Sequence, residues 1–270
     1  MKILILFISF FFSLNAQQLI DTQKENPLEI YAEDSIEWHK NEKKYLALGN
    51  ARASSGSMSL TSDRIEAFYD EKEGSDMDIK LIKAHNKVVI TDKKLKIVGG
   101  KLAEYNLKKD YFSIFGQKLL LTSEDNRLKS NNKMEYWRQK GIAIATGNAT
   151  AIKGTEFIIK SEKLVWYVDE VEEKMNVKKI LGFNNVSIRT NNEVAFSDKA
   201  LYNRKNGICK LFGNVKLQRG ASFLTGEYAE VDLNKGISKL LPAPNQNNLN
   251  ENRVRALIDK EENYENNESD

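Results

Sequence analysis

Gly147-Asn148-Ala149-Thr150-Ala151 is the stretch whose reading decides the fold. It recurs as Gly49-Asn50-Ala51-Arg52-Ala53 and as Gly213-Asn214-Val215-Lys216-Leu217. Weaker copies are Asn86-Lys87-Val88-Val89-Ile90, Gly116-Gln117-Lys118-Leu119-Leu120 and Gly182-Phe183-Asn184-Asn185-Val186-Ser187-Ile188. Taking 50, 86, 117, 148, 185 and 214 as the Asn-equivalent positions, the spacings are 36, 31, 31, 37 and 29, the mark of a repetitive architecture. A Gly inside a strand marks a bulge or bend, where φ is permissive and no side chain obstructs. A bend at the same place in every repeat lets long strand pairs turn a corner together.

Outward from these motifs, short alternating segments such as Val186-Ser-Ile188-Arg and Val215-Lys-Leu217-Gln read as half-buried strands. No stretch from Leu28 to Leu241 keeps a helical period. A second landmark falls between the Gly-Asn motifs: a small residue, an apolar one, then an aromatic. Examples are Ser62…Ile65…Phe68, Ser130…Met134…Tyr136, Ser161…Leu164…Trp166 and Ser197…Ala200…Tyr202. Polar turns follow, including Glu71–Asp76, Asp169–Lys174 and Asn203–Gly207, where Asn206-Gly207 signals a two-residue hairpin. Each repeat is therefore strand, turn, strand, turn. Six to seven repeats give roughly 14 strands, more than one flat sheet carries before it curls or splits. The fold expected is all-β: a curved, open β-sandwich or rolled antiparallel sheet, one domain over residues 17–242.

The ends differ from the middle. Lys2 precedes an apolar run from Ile3 to Leu14, then Asn15-Ala16, the shape of a signal peptide over residues 1–16. Twelve residues span only ~18 Å as a helix, short of a ~30 Å bilayer core. Cleavage before Gln17 is expected, with an uncleaved anchor as the alternative. Residues 243–270 carry seven acids and three bases and form a polar acidic tail, in which Val254, Leu257 and Ile258 could support a short helix. The whole chain of 270 residues has net charge +3 and the middle +6, too mild for a nucleic-acid binder.

The residues that chemistry would need are missing. The single Cys209 cannot close an intrachain disulfide or make a Cys-based zinc site, and the two histidines, His39 and His85, leave little material for a metal centre. No Gly-x-Ser-x-Gly elbow and no phosphate loop is present. Carboxylates cluster in turns, as solvated charges do. Basic doublets such as Lys93-Lys94 and Lys178-Lys179 discourage edge aggregation. The chain reads as a non-enzyme with no catalytic residue, no metal and no cofactor.

An exported all-β chain that opens with Ile30-Tyr-Ala32-Glu-Asp34-Ser-Ile36 and repeats Gly-Asn-Val/Ala motifs about thirty residues apart resembles the OstA-like (LptA-type) family of periplasmic lipopolysaccharide-transport proteins. Ala32-Glu33-Asp34, Ser62-Asp63 and Ser197-Asp198 share in the likeness, which covers about residues 28–240. The resemblance implies a β-jellyroll with a V-shaped groove, lipopolysaccharide as cargo, and head-to-tail self-association. It also implies an inner-membrane LptC-like partner, an outer-membrane LptD-like partner and a periplasmic location. The length, the acidic tail and Gln117-Lys118 in the third motif depart from the family pattern, which leaves the subfamily open, including an anchored LptC-like sister.

Acyl chains need an apolar trough, and burial of ~0.8 kcal/mol per CH₂ gives ample affinity. One parity of each strand should supply it. The expected lining is Ile36, Trp38, Ala51, Ala53, Ile65, Phe68, Val88, Ile90, Leu102, Tyr105, Met134, Tyr136, Ala149, Ala151, Leu164, Trp166, Val186, Ile188, Tyr202, Val215 and Leu217. The Ala pairs at 51/53 and 149/151 leave room where an ordinary core prefers bulk. The plainer reading is that these residues simply fill a core. A secreted structural β-repeat protein without cargo is the competing function, and an enzyme on a β-sandwich scaffold is the third. The open edges of the roll are expected near Leu28–Asp34 and Phe223–Leu240.

Overall fold

The computed structural model describes residues 27–71, 77–93, 95–124, 126–171, 174–191, 193–242 and 254–258. The expected leader, the Glu71–Asp76 turn beyond its first residue, and most of the acidic tail lie outside them. The described residues form eighteen strands in one sheet and a single 3-10 turn at Arg138–Lys140. The strands are β1 (Glu29–Tyr31), β2 (Ser35–His39), β3 (Lys44–Ser55), β4 (Met58–Glu71), β5 (Met77–Asp92), β6 (Leu95–Asn106), β7 (Tyr111–Phe115), β8 (Leu119–Ser123) and β9 (Asn126–Ser130). They continue with β10 (Lys133–Trp137), β11 (Ile142–Lys153), β12 (Phe157–Val171), β13 (Lys174–Arg189), β14 (Val194–Asn203), β15 (Ile208–Arg219), β16 (Ser222–Asp232), β17 (Ile237–Leu241) and β18 (Arg255–Leu257).

Among the described residues every strand pairing is antiparallel, and consecutive long strands pair along their whole length. Ten strands run unbroken across the roll. The other eight are halves of crossings: β1 and β2 both pair with β3, β7 and β8 with β6, β9 and β10 with β11, and β17 and β18 with β16. The roughly 14 strands expected from the repeats are these fourteen crossings.

Each long strand bends at its middle, where the register shifts: at Leu48/Ala51, Thr146/Ala149 and Phe212/Val215 for the three clearest Gly-Asn copies. Both residues of the motif take positive φ, as in Gly147 (87°) and Asn148 (47°). Gly147 has no substitute. A Cβ there would lie 2.7 Å from Asn132 Cβ, in a backbone conformation that L-residues rarely adopt. Asn tolerates the left-handed region better than other non-Gly residues, so it follows the Gly. In the weak copies the positive-φ pairs are Asn86-Lys87 and Asn184-Asn185. Position 86 is thus the equivalent of the Gly and Lys87 that of the Asn, one residue later than the sequence alignment had it. At Gly116-Gln117-Lys118 the strand breaks altogether between β7 and β8.

The small residue of the second landmark has its reason at the same corner. Ser62, Ser130, Ser161 and Ser197 are all buried. Each hydroxyl donates to a carbonyl just past the bend: Arg64 (2.8 Å), Lys133 (3.2 Å), Lys163 (2.8 Å) and Lys199 (3.0 Å). Ser161 Oγ also accepts from the Lys163 and Phe183 amides, both at 3.1 Å. Bending a ladder strands backbone groups away from their partners, and a hydroxyl, donor and acceptor at once, satisfies them. The acid beside the small residue clamps the neighbouring bend: Asp198 accepts from Asn214 Nδ2 (2.9 Å), Glu33 from Asn50 Nδ2 (3.1 Å), and Asp63 pairs with Lys87 (3.1 Å).

The corners line up as a spine that divides the sheet into two arms. The front arm holds β2, β7, β10 and β17 with the matching halves of the long strands. The back arm holds β1, β8, β9, β18 and the remaining halves. Inward-facing side chains of both arms meet in one hydrophobic cluster. Three local expectations are corrected. Arg204–Gly207 is a four-residue loop between the paired Asn203 and Ile208, closed by the Gly207 amide on Asn203 O, so Asn206-Gly207 is only its second half. Arg255–Leu257 is a strand on β16, not a helix, because β16 offers it a free edge. Phe223–Thr225 is consequently covered, and the C-terminal edge strands are β17 and β18.

Candidate functional site

The bend sets which side chains face inward. Parity holds along each arm but resets at the spine, because the bulge uses up an extra residue. In β4 the inward set is Leu60 and Ser62, then Ile65, Ala67 and Tyr69. Ala51, Ala53, Ile65, Val88, Ile90, Met134, Ala149, Ala151, Leu164, Trp166, Val186, Ile188, Val215 and Leu217 all lie in the inner cluster, and Tyr105, Tyr136 and Tyr202 pack against it.

Two of the expected lining residues are misplaced. Phe68 pairs with Lys44 and Leu102 with His85 and Phe115, all on the outer face. Phe68 lies three residues after Ile65 and Leu102 two after Gly100, but after Ile65 the inner face belongs to 67 and 69, and after Gly100 to 103 and 105. Ile36 and Trp38 face inward opposite Ala47 and Tyr45, yet they stay half exposed because β2 is the last strand of the front arm. Trp38 Nε1 donates to Tyr69 Oη (2.8 Å), and the Tyr45 ring lies 6.0 Å from Trp38 and 5.7 Å from Tyr69. This aromatic end of the inner face includes Tyr45 and Tyr69, which sequence reasoning missed. The alternation after the reset Ile65 would have found Tyr69.

The interior is unusually rich in small side chains. Beyond the four expected alanines, Ala47, Ala67, Ala84, Ala103, Ala143, Ala145, Ala200 and Ala229 are also buried on it. Space remains between the arms. One cavity of about 130 Å³ is walled by Ile90, Ile97 and Leu128 of the back arm and by Ile114, Met134 and Tyr136 of the front arm. A second, about 60 Å³, is lined by Ala151, Phe157, Trp166, Val177, Ile180 and Tyr202. A third, about 440 Å³, lies between Phe157, Ile188, Ala195 and Leu217 on one side and Tyr202, Cys209, Leu211 and Val231 on the other. They follow one another along the roll, so the interior is a trough whose open space is largest in its C-terminal third.

The side of the trough away from the spine, its mouth, is polar. Arg138 of the front arm reaches Asp92 of the back arm (3.3 Å), and Ser238 donates to Glu193 across the same gap (3.2 Å). Inside, titratable groups are few. Burial pushes the Cys209 thiol up to about 12, which makes it an inert packing residue. Burial is also the main cause raising the Tyr202 hydroxyl, followed by the charge of Glu156. Among the described residues no group of three or more His, Cys, Asp or Glu is placed to hold a metal, and no helix is long and apolar enough to cross a membrane.

Corner-bent strands folded around an apolar trough define an all-β protein of jellyroll type. The family model described as "LptA/(LptD N-terminal domain) LPS transport protein" matches the chain twice, over residues 29–141 and 130–237. The chain belongs to that family. No curated protein matches it significantly. Among solved structures, one similar chain is LptH from Pseudomonas aeruginosa, described as the LptA homologous periplasmic component of the conserved lipopolysaccharide transport device. It is 10% identical, with 87% of this chain and 96% of that chain covered and a TM-score of 0.23.

Proposed function

We propose that this protein is a periplasmic carrier that holds lipopolysaccharide by its acyl chains in the trough and passes it from the inner toward the outer membrane. The observation that carries this reading is the inner face: apolar through both family matches, floored by alanines, and still holding space between the arms. Apolar burial is non-directional, so a cargo held this way slides without meeting a tight endpoint. The protein does no covalent chemistry in this role. An LptC-like donor at the inner membrane and an LptD-like acceptor at the outer membrane are its partners, and copies stack head to tail through the strand edges. The leader over residues 1–16 exports it.

Ala151 tests the reading. It is buried on the trough floor between Leu128 and Ile159 and borders the 60 Å³ cavity. Ala151→Phe fills that space. Lipid extracted from the purified protein and counted by mass spectrometry should fall several-fold, while far-UV circular dichroism keeps the β signal. Equal loss of fold and lipid, or no lipid on the wild type, would favour a structural β-repeat protein without cargo.

A further inference from the structure

Among the described residues, Trp166 Nε1 is the one buried side-chain nitrogen or oxygen with no hydrogen-bond partner. Trp166 is 4% exposed and faces inward from β12, between Ala143 and Ile180. An indole N–H can only donate. Left unpaired out of water, it costs about as much as a lost hydrogen bond, so buried donors are nearly always satisfied. A Phe would supply the same apolar ring without that cost. The other inner-face indole, Trp38, has its partner in Tyr69. Trp166 instead borders the 60 Å³ cavity, whose walls beside it are Ala151, Phe157, Val177 and Ile180. That exceeds the roughly 10–15 Å³ of free space that one water molecule needs.

We propose that Trp166 is a polar anchor in the trough: its N–H donates to the ester or amide carbonyl that joins an acyl chain to its headgroup. The inference rests on the carrier reading and deepens it. Apolar walls hold any hydrocarbon, whereas this donor distinguishes an acylated lipid from a hydrocarbon of equal size. It also sets a depth, because the carbonyl sits at a fixed distance from the chain end. The same cavity is lined by Asn126, Lys153 and Arg204, which stand at or just past the mouth ends of β9, β11 and β14, so a headgroup beyond the carbonyl would leave toward polar residues.

The test compares two probes on the full chain, wild type and Trp166→Phe: a diacyl phosphatidylglycerol and its dialkyl-ether analogue of the same chain length. The ester lipid should bind the variant about three- to tenfold more weakly, as expected for one hydrogen bond. The ether lipid should bind both proteins alike. The lipid-free variant should melt at the same temperature or higher, since it sheds an unpaired donor. In nitrogen–proton spectra of the wild type, the Trp166 indole resonance should shift on adding the ester lipid and stay in place with the ether. That measurement does not depend on the variant folding. Equal losses for both lipids, or a lowered melting temperature, would reduce Trp166 to packing. An indole shift without lipid selectivity would assign its partner as water. Either result overturns the anchor and leaves the carrier reading standing, whereas failure of both lipids and of lipid A to bind the wild type overturns the carrier reading itself.

Discussion

The outer faces of the two arms are built alike and charged differently. On the front arm, acids and bases face each other across strands: Glu66 opposite Lys83 opposite Glu104, and Lys210 opposite Glu230 opposite Lys239. Glu66 is nearly buried and takes Arg64 (2.9 Å), His85 (3.1 Å) and Lys44 (3.2 Å). On the back arm the two outward ladders carry Arg52, Lys129, Lys160, Lys216 and Arg255 in one, and Lys96, Arg127 and Arg189 in the other. The one acid on these two ladders is Glu29, at the β1 end of the second, and acids such as Asp92, Glu156 and Glu193 stand at the mouth instead. The alternation that builds the trough constrains only the inner face. The outer face is free to be a cross-linked network on one arm and a row of like charges on the other, and stability should register which is which.

The largest expected effect is at the network's centre. Glu66→Gln removes a nearly buried carboxylate from three cationic partners, and should cost about 2–4 kcal/mol in urea unfolding. Arg189→Gln on the back arm should change stability by no more than ~0.5 kcal/mol. Similar losses for the two would erase the distinction between the arms.

Acid should act through the front arm. Burial works to raise the Glu66 carboxyl, but hydrogen bonds from Arg64, Lys44 and His85 outweigh it, so the group sits below its ordinary value of 4.5. Glu135 is likewise lowered, against burial, by Lys133 and Tyr111. A depressed carboxylate contributes stability above its unfolded pKa and loses it as pH falls through the folded value. Stability should therefore decline below about pH 4.5, and Glu66→Gln with Glu135→Gln should flatten that decline in denaturation scans across pH.

Salt should act through the back arm. Lys129 and Lys160 both flank Thr150, two strands apart, about 10 Å. That is near the screening length at 0.1 M salt. Replacing both by Gln should raise stability by roughly 0.3 kcal/mol at low ionic strength and by nothing measurable in 0.5 M salt. A loss at low salt would mean that these lysines have acidic partners.

The smallest effect is on the last front-arm strand. His39 is raised above 6.5 by its hydrogen bond to Glu37 (2.7 Å) and then by Glu42. Its proton resonances should titrate above that value and return toward it in Glu37→Gln, with no measurable change in melting temperature because the ring is solvated.

Much of this was legible in the chain. Gly147-Asn148 and its copies announce bends, because few residues accept two successive positive φ angles. The small–apolar–aromatic landmark finds Ser62, Ser130, Ser161 and Ser197, though not that their hydroxyls close the ladder there. Most of the trough lining follows from alternation. Phe68 and Leu102 do not, since a bulge adds a residue and flips the parity beyond it, which pattern alone cannot date to one position. Tyr69 was missed for the same cause, and the Arg255–Leu257 strand because a three-residue segment has no period to read.

The sequence by itself therefore determined what is local: strand character, the positions of the bends, the family, and an interior lined by small and apolar side chains. Only the tertiary structure decided what depends on residues far apart. It set the width of the trough, the Arg138–Asp92 contact across its mouth, the unpaired indole of Trp166, and the cross-strand charge network on the outer face of the front arm. Periodicity places a side chain on a face, but the distance to the opposite face is fixed only when two arms, joined at a bent spine, close on each other.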